Sequence, residues 1–247
     1  MLPEPSEQNE SVLTALEDFF EDFFESQVRK IEQSANASIY TPNPALIWFL
    51  AKTIDGEVTP VSIAKALILP RQLGTSPATS FGTRIQSFIS DTLVNAYGSA
   101  ASGMDIEFED QIDGKMKYLQ LKAGPLTINK GDVTPMDGEF KKVKQLLRAN
   151  GRPLSDDHFA VGVMYGEERD LNAFYLQLRD VHGWELYVGK DFWWRLTGDE
   201  NFMERLLLVV RTATEKVNSS DVLNTAIGTL SRDARIINLA MDYHGSK

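Results

Sequence analysis

Apolar residues recur at spacings of three and four over the first third of the chain. They alternate with polar residues on both sides of Asp113-Gly114, between Met104 and Lys122, and later return to helical spacing. Ser11 to Ile31 reads as an amphipathic helix, with Leu13, Leu16, Phe19, Phe20, Phe23, Phe24 and Val28 along one side and acids crowding the other. Asn43 before Pro44 is an N-cap with proline at the first helical position, and that helix runs to about Thr53. Thr59-Pro60 starts another helix, expected to end before Pro70, and Arg71 to Ala78 reads as a loop. Ser80 is the N-cap of a helix to about Tyr97, with Phe81, Ile85, Phe88, Ile89, Leu93 and Val94 as its stripe and Gly98 as its C-cap.

The alternating stretch is the organising one. Asp113-Gly114 is a strong signal for a two-residue hairpin turn, since such a turn needs positive φ at both central positions. With those two residues as the loop, Asp105 faces Lys122, Glu107 faces Gln120, Ile106 faces Leu121 and Phe108 faces Leu119. One face is then apolar. The other gathers Asp105, Glu107, Gln120 and Lys122, with directly opposed Cβ atoms about 5 Å apart. Carboxylates, an amide oxygen and a lysine suit a hard divalent cation and a phosphate. The same pairs also occur on solvated hairpin faces, and the hairpin alone leaves both readings open.

Beyond Pro125, residues 126–136 have no strong period and read as a loop. Thr127, Asn129, Lys130, Gly131 and Thr134 there offer donors for phosphates or base edges. Asp137 is expected to cap a helix with Phe140, Val143, Leu146 and Leu147 inward, ended by Gly151. His158 to Tyr165 reads as a buried strand, and Ala173 to Leu178 and Trp184 to Val188 as two more. Phe192, Trp193 and Trp194 are core residues or, alternatively, a platform for flipped bases. Helices are expected over 199–217 and 220–241.

The net charge of −10 argues against a non-specific nucleic-acid coat, but the charge is uneven. Residues 1–60 are strongly acidic. Residues 111–152 carry an excess of bases, including Lys130, Lys141 and Lys144, which form either a DNA-binding face or a solvated helix face. The chain of 247 residues has no cysteine and three scattered histidines, which excludes disulfides and a zinc finger. No P-loop is present, and no apolar run is long enough for a membrane span. The expectation is a soluble cytoplasmic protein of one domain over 1–247, with a helical N-terminal part (1–79), a core (80–198) and C-terminal helices (199–247).

Asp105 followed after a hairpin by Gln120-Leu121-Lys122 resembles the PD-(D/E)XK nuclease signature, which many type II restriction endonucleases carry. Gly103 to Phe108 is similar to its first half, and Lys122-Ala123-Gly124-Pro125 resembles the Lys-Ser-Gly-Pro run of one restriction-endonuclease subgroup. The likeness is specific over about residues 80–165. Met104 stands where proline is usual, and Gln120 where the family usually has an acid.

The resemblance implies a mixed α/β fold with an αβββαβ core, so that a short strand near 98–103 is expected, and added N- and C-terminal helices. It implies a Mg²⁺-dependent, sequence-specific endonuclease acting on double-stranded DNA. Asp105 would be the principal metal ligand, with the Leu121 carbonyl and the Gln120 side-chain oxygen beside it, and Lys122 would act on the phosphate. The missing acid would come from Glu107, slightly favoured by the expected register, or from Asp132, Asp137 or Glu139. Gln86 stands where the family's preceding helix often carries a glutamate, though a plain surface position is the stronger reading. The resemblance further implies a prokaryotic setting, a companion DNA methyltransferase without a stable complex, and a homodimer, for which the phenylalanine-rich helix 11–31 is favoured over helices 199–241. The alternatives are a nuclease-fold DNA-binding protein that has lost catalysis, and a structure-specific repair nuclease.

Overall fold

The structure is a computed structural model that describes residues 5–88, 92 and 103–245. The chain divides into two compact units, Met1–Phe19 with Gly82–Arg211 and Phe20–Phe81 with Thr212–Lys247.

The first unit is built on a four-stranded sheet of order β1-β2-β3-β4, formed by β1 (Ile106–Glu109), β2 (Met116–Lys122), β3 (Phe159–Val163) and β4 (Glu185–Val188). β1 pairs antiparallel with β2, whereas β2, β3 and β4 run parallel. β3 is buried along its whole length, as its unbroken apolar run anticipates. On one face Tyr118, Phe159, Val161 and Val163 pack with Val133, Met136, Phe140, Val143 and Leu147 of α5 (Lys130–Ala149) and with Tyr175 and Leu178 of α6 (Ala173–Asp180). The opposite face carries Ile106, Phe108, Leu119 and Leu121, all buried. Phe192 of α7 (Lys190–Thr197) comes to this side, close to Gly162 beside Leu119 and Leu121.

The second unit packs α2 (Pro44–Asp55), α3 (Pro60–Leu73), α9 (Ser219–Leu230) and α10 (Ala234–His244) around Ile47, Ile63, Leu67, Ile68, Ile227, Leu230 and Ile236. α1 (Glu7–Gln33), α4 (Thr75–Phe88) and α8 (Phe202–Glu215) are the other α-helices among the described residues. The expected order from Ser80 onward (helix, strand, strand, helix, strand) is observed as α4, β1, β2, α5 and β3. The strand expected near 98–103 and the cap at Gly98 lie outside the described residues.

Four element expectations are corrected. Ala173 to Leu178 is a helix and not a strand, because the Asn172 side chain accepts the Phe174 and Tyr175 N–H groups and starts one. α3 runs through Pro70, which sits in its last turn, to Leu73; the expected loop shrinks to Gly74 and Ser80 falls inside α4. α5 begins at Lys130 and not at Asp137: Asn129 and Asp132 form a capping box, and Val133 and Met136 extend the inward stripe. The final helix is two helices, broken at Ser231–Asp233, where Asp233 accepts the Arg235 N–H and starts the second.

In α1 the phenylalanines suit either packing on the rest of the chain, the favoured reading, or a contact with another subunit. Phe20 and Phe23 are buried in their own chain, with ring centroids 6.3 and 5.3 Å from Phe81, and Phe19 lies 5.2 Å from Phe88. The rings favoured as a dimer surface are therefore largely used within the chain.

Candidate active site

The hairpin places every residue of the signature, but in a register two residues away from the expected one. Ile106 pairs with Leu119, Glu107 with Tyr118, Phe108 with Lys117 and Glu109 with Met116. Asp113-Gly114 is only the second half of a four-residue loop, closed by Asp110 N–H to the Lys115 carbonyl (2.9 Å) and Gly114 N–H to the Asp110 carbonyl (2.8 Å). Gly114 takes the positive φ of 67° that the loop needs. The cause is Asp110, which is fully buried. Its carboxylate accepts the Ile112 N–H (2.8 Å) and pairs with Arg195 (2.8 Å), with the buried Lys117 amine 3.9 Å away. Lys117 in turn donates to Asp113 (2.6 Å) and to the Asp157 carbonyl (2.9 Å). Burial alone would push its amine down, but the bonds to Asp113 and Tyr187 outweigh that and hold the pKa above the ordinary lysine value.

A shift of two residues leaves each side chain on its expected face and changes only its partner. Glu107 now stands opposite Tyr118, Asp105 comes just before the first pair, Ile106 with Leu119, and Gln120 and Lys122 of β2 extend past the start of β1. The Asp105 N–H donates to the Leu119 carbonyl (2.7 Å), and its Oδ2 accepts the Leu121 N–H (2.7 Å). Backbone groups of Leu119 and Leu121 thus face β1, whereas the Lys122 carbonyl faces β3 and accepts the Met164 N–H (3.0 Å). The Leu121 carbonyl consequently points to the gap beside Asp105, where β1 has not yet begun.

The polar face is not open to solvent throughout, because α5 and its neighbours cover Tyr118 and leave Gln120 only 8% exposed. The Gln120 Nε2 donates to the Gly103 carbonyl (3.2 Å), which leaves the amide oxygen as its acceptor end. Lys122 is half-buried. Among the described residues its amine takes part in no ion pair, whereas Lys115, Lys117, Lys141, Lys142 and Lys144 are each paired with an acid.

A carboxylate, a main-chain carbonyl and an amide oxygen form a hard-oxygen donor set. That suits Mg²⁺, which is commonly held by one or two carboxylates with water in its remaining positions. Among the described residues no three or more His, Cys, Asp or Glu side chains are gathered as a metal cluster, so a metal here would depend on Asp105, Gln120 and Leu121 with few charges.

The four candidate acids are now distinguishable. Glu107 sits by Tyr118, whose buried hydroxyl is pushed up in pKa by burial first and then by Glu107. Asp132 closes the α5 capping box through the Asn129 N–H (2.7 Å). Asp137 accepts from the Trp184 indole (3.0 Å) and Lys141 (2.7 Å), with His182 at 3.2 Å. Burial would raise the Asp137 pKa, but the bonds from Lys141 and Trp184 hold it below the ordinary value. Glu139 differs from these. Its Oε2 lies so close to Gly103 that a Cβ there would sit 2.4 Å from it, beside the backbone that receives Gln120. Among the described residues its ion pair is a loose one with exposed Lys142 (3.5 Å).

Of the DNA-contact candidates, Thr127 is tied into its own loop, donating to the Gly124 carbonyl (2.8 Å) and lying 3.0 Å from the Tyr175 hydroxyl. Asn129 is spent on capping α5. Lys130 and Thr134 are exposed on its first turns, whereas Lys141 and Lys144, further along α5, pair with Asp137 and Asp156. The Gln86 side chain lies outside the described part of the structure.

Two features escaped the sequence. Lys117 occupies an apolar-face position of β2, and a lysine there was a readable sign of a buried charge partner. The approach of Glu139 to Gly103 had no local signal, because it joins a helix to a residue before β1.

The model of the family described as type II restriction endonuclease EcoO109I matches residues 10–218. No curated protein matches the sequence.

Proposed function

The chain belongs to the type II restriction endonuclease EcoO109I family, a PD-(D/E)XK family, and from that premise we propose that it is a Mg²⁺-dependent enzyme cutting both strands of a specific duplex DNA sequence. The observation that carries this reading is Asp105, just before β1 and held by the Leu121 N–H, with Lys122, whose amine takes part in no ion pair among the described residues, at the end of β2. Asp105, the Leu121 carbonyl and the Gln120 amide oxygen would hold the ion. When bound, Mg²⁺ supplies Lewis-acid polarisation of the phosphate. The Leu121 N–H fixes the Asp105 carboxylate in one orientation, so that its other oxygen is presented without rearrangement. Lys122 stabilises the charge that develops on the phosphate as the bond to the leaving oxygen breaks.

Glu139 supplies the negative charge that Gln120 lacks. Glu107 faces Tyr118 and not Gln120 in the register that the hairpin adopts, whereas the Glu139 carboxylate lies against Gly103. Lys130 and Thr134 would meet the DNA backbone. The reading also carries a homodimer, with one site for each strand, and a companion methyltransferase that protects host DNA without a stable complex.

Gln120 favours a second reading, a DNA-binding protein that has lost catalysis, because a neutral amide holds a cation less tightly than a carboxylate. Incubation of plasmid with the protein and Mg²⁺ separates the two. Discrete fragments, absent when chelator is added, are expected. DNA binding without cleavage would favour the second reading, and a smear or junction cutting would mean a repair-type nuclease.

A further inference from the structure

Next to Lys122 lies a half-exposed tyrosine that packing alone does not explain. Tyr165 is 49% exposed and follows β3 two residues after Val163, the partner of Lys122. Its ring rests on the bare backbone of Gly124. A Cβ at Gly124 would stand 2.4 Å from both the Cζ and the hydroxyl oxygen of Tyr165, so only glycine admits the ring in this place.

Both sides of the contact are fixed from beneath. The Gly124 carbonyl accepts from the Tyr175 hydroxyl (2.9 Å) and the Thr127 hydroxyl (2.8 Å), and the Pro125 carbonyl accepts the Asn172 N–H (3.1 Å). On the other side, the Met164 N–H is held by the Lys122 carbonyl and the Met164 carbonyl by the Trp193 indole (2.8 Å). Tyr165 therefore stands at the carboxyl ends of β2 and β3, the rim where open α/β sheets bind their ligands. Its hydroxyl end lies over the residue two beyond Lys122. A surface ring kept only for packing would bury more of itself, and would not need a glycine beneath its polar end.

We propose that Tyr165 is a DNA-contacting residue whose hydroxyl, seated on Gly124, donates a hydrogen bond to a backbone phosphate next to the one that Lys122 serves. The ligand is the phosphodiester backbone of duplex DNA, so the contact positions the substrate and carries no sequence information. This proposal rests on the nuclease reading above.

The test is DNA affinity of the full chain with Ca²⁺ in place of Mg²⁺, on a duplex that the enzyme cuts and on an unrelated duplex. Tyr165→Phe keeps the ring and removes only the hydroxyl. It should weaken binding about tenfold on both duplexes, the loss of one hydrogen bond to a charged group, with the melting temperature unchanged. Gly124→Ala keeps the hydroxyl but displaces the ring, and should weaken binding at least as much. Wild-type affinity in Tyr165→Phe would overturn this proposal alone. A loss confined to one duplex would also overturn it, since it would make Tyr165 a base reader. Failure of the wild type to bind any DNA would overturn the nuclease reading together with this one.

Discussion

The two ends of one hairpin hold the same kinds of side chain in opposite states. At the turn end Asp110, Asp113, Lys117 and Arg195 are mutually paired, and the buried Asp110 and Lys117 find nearly all their partners within the protein. At the open end Asp105 is held by a single backbone N–H, Gln120 by a single carbonyl, and Lys122 by no ion pair among the described residues. A buried charge must be paired to be tolerated, so the turn end is spent on structure and sets the register. A half-buried charge left without a protein partner is available to a ligand. Charge content alone would not have separated the two ends; the count of satisfied partners does.

That contrast can be broken from either side. Removing the Asp110 carboxylate by Asp110→Ala leaves Arg195 and Lys117 without their shared partner and should cost about 3–5 kcal/mol of stability. Denaturant unfolding measures it, and the fraction that remains folded should still cleave close to the wild-type rate. A fully stable variant would mean that the turn network does not fix the register.

At the open end, Lys122→Ala should leave stability unchanged and slow single-turnover cleavage by about 10²–10³-fold. A loss explained entirely by weaker DNA affinity would move Lys122 from the reacting phosphate to binding. Gln120→Glu should fold, since an acid is usual at this place in the family. Beside Asp105 and Glu139 the added charge should lower stability by about 1 kcal/mol in chelator and restore it with Mg²⁺. Stability indifferent to Mg²⁺ would count against a cation at this end.

The smallest effect lies at the turn end in acid. Asp157 is held down to about 2 by its bond from Lys115 and then by Ser155. A depressed carboxylate contributes stability above its ordinary value of 3.8 and loses it as the pH falls toward about 2. Because the pair is exposed, Asp157→Asn should remove only about a few tenths of a kcal/mol at low salt, a difference present above 3.8 that fades as the pH falls toward about 2. An acid limb identical to wild type would show the pair to be fully screened.

Much of this was legible along the chain, because alternation fixes faces whatever the register. Ile106, Phe108, Leu119 and Leu121 were assigned to one face and are buried there, and Asp105, Gln120 and Lys122 to the other. Cross-strand partners were not legible, because they depend on how the turn closes, and Asp110 closes it through a buried pair with Arg195, 85 residues away. The start of α5 is readable in the Asn129 and Asp132 capping box, but the lack of a strong period over 126–136 makes that stretch read as a loop. α6 was mistaken for a strand because its short apolar run fits both periods, and only the cap at Asn172 decides. The approach of Glu139 to Gly103 is purely tertiary.

Asp105→Asn tests the central claim most directly, because one substitution reads both structure and chemistry. Cleavage of a plasmid with Mg²⁺ and the melting temperature should be measured on the same preparation. The account predicts that discrete fragments disappear while the melting temperature stays within about 2 °C of wild type, well short of the shift a buried-pair loss produces. Continued cutting would contradict the assignment of the site, and a collapse in melting temperature like that of Asp110→Ala would make the open end as structural as the turn.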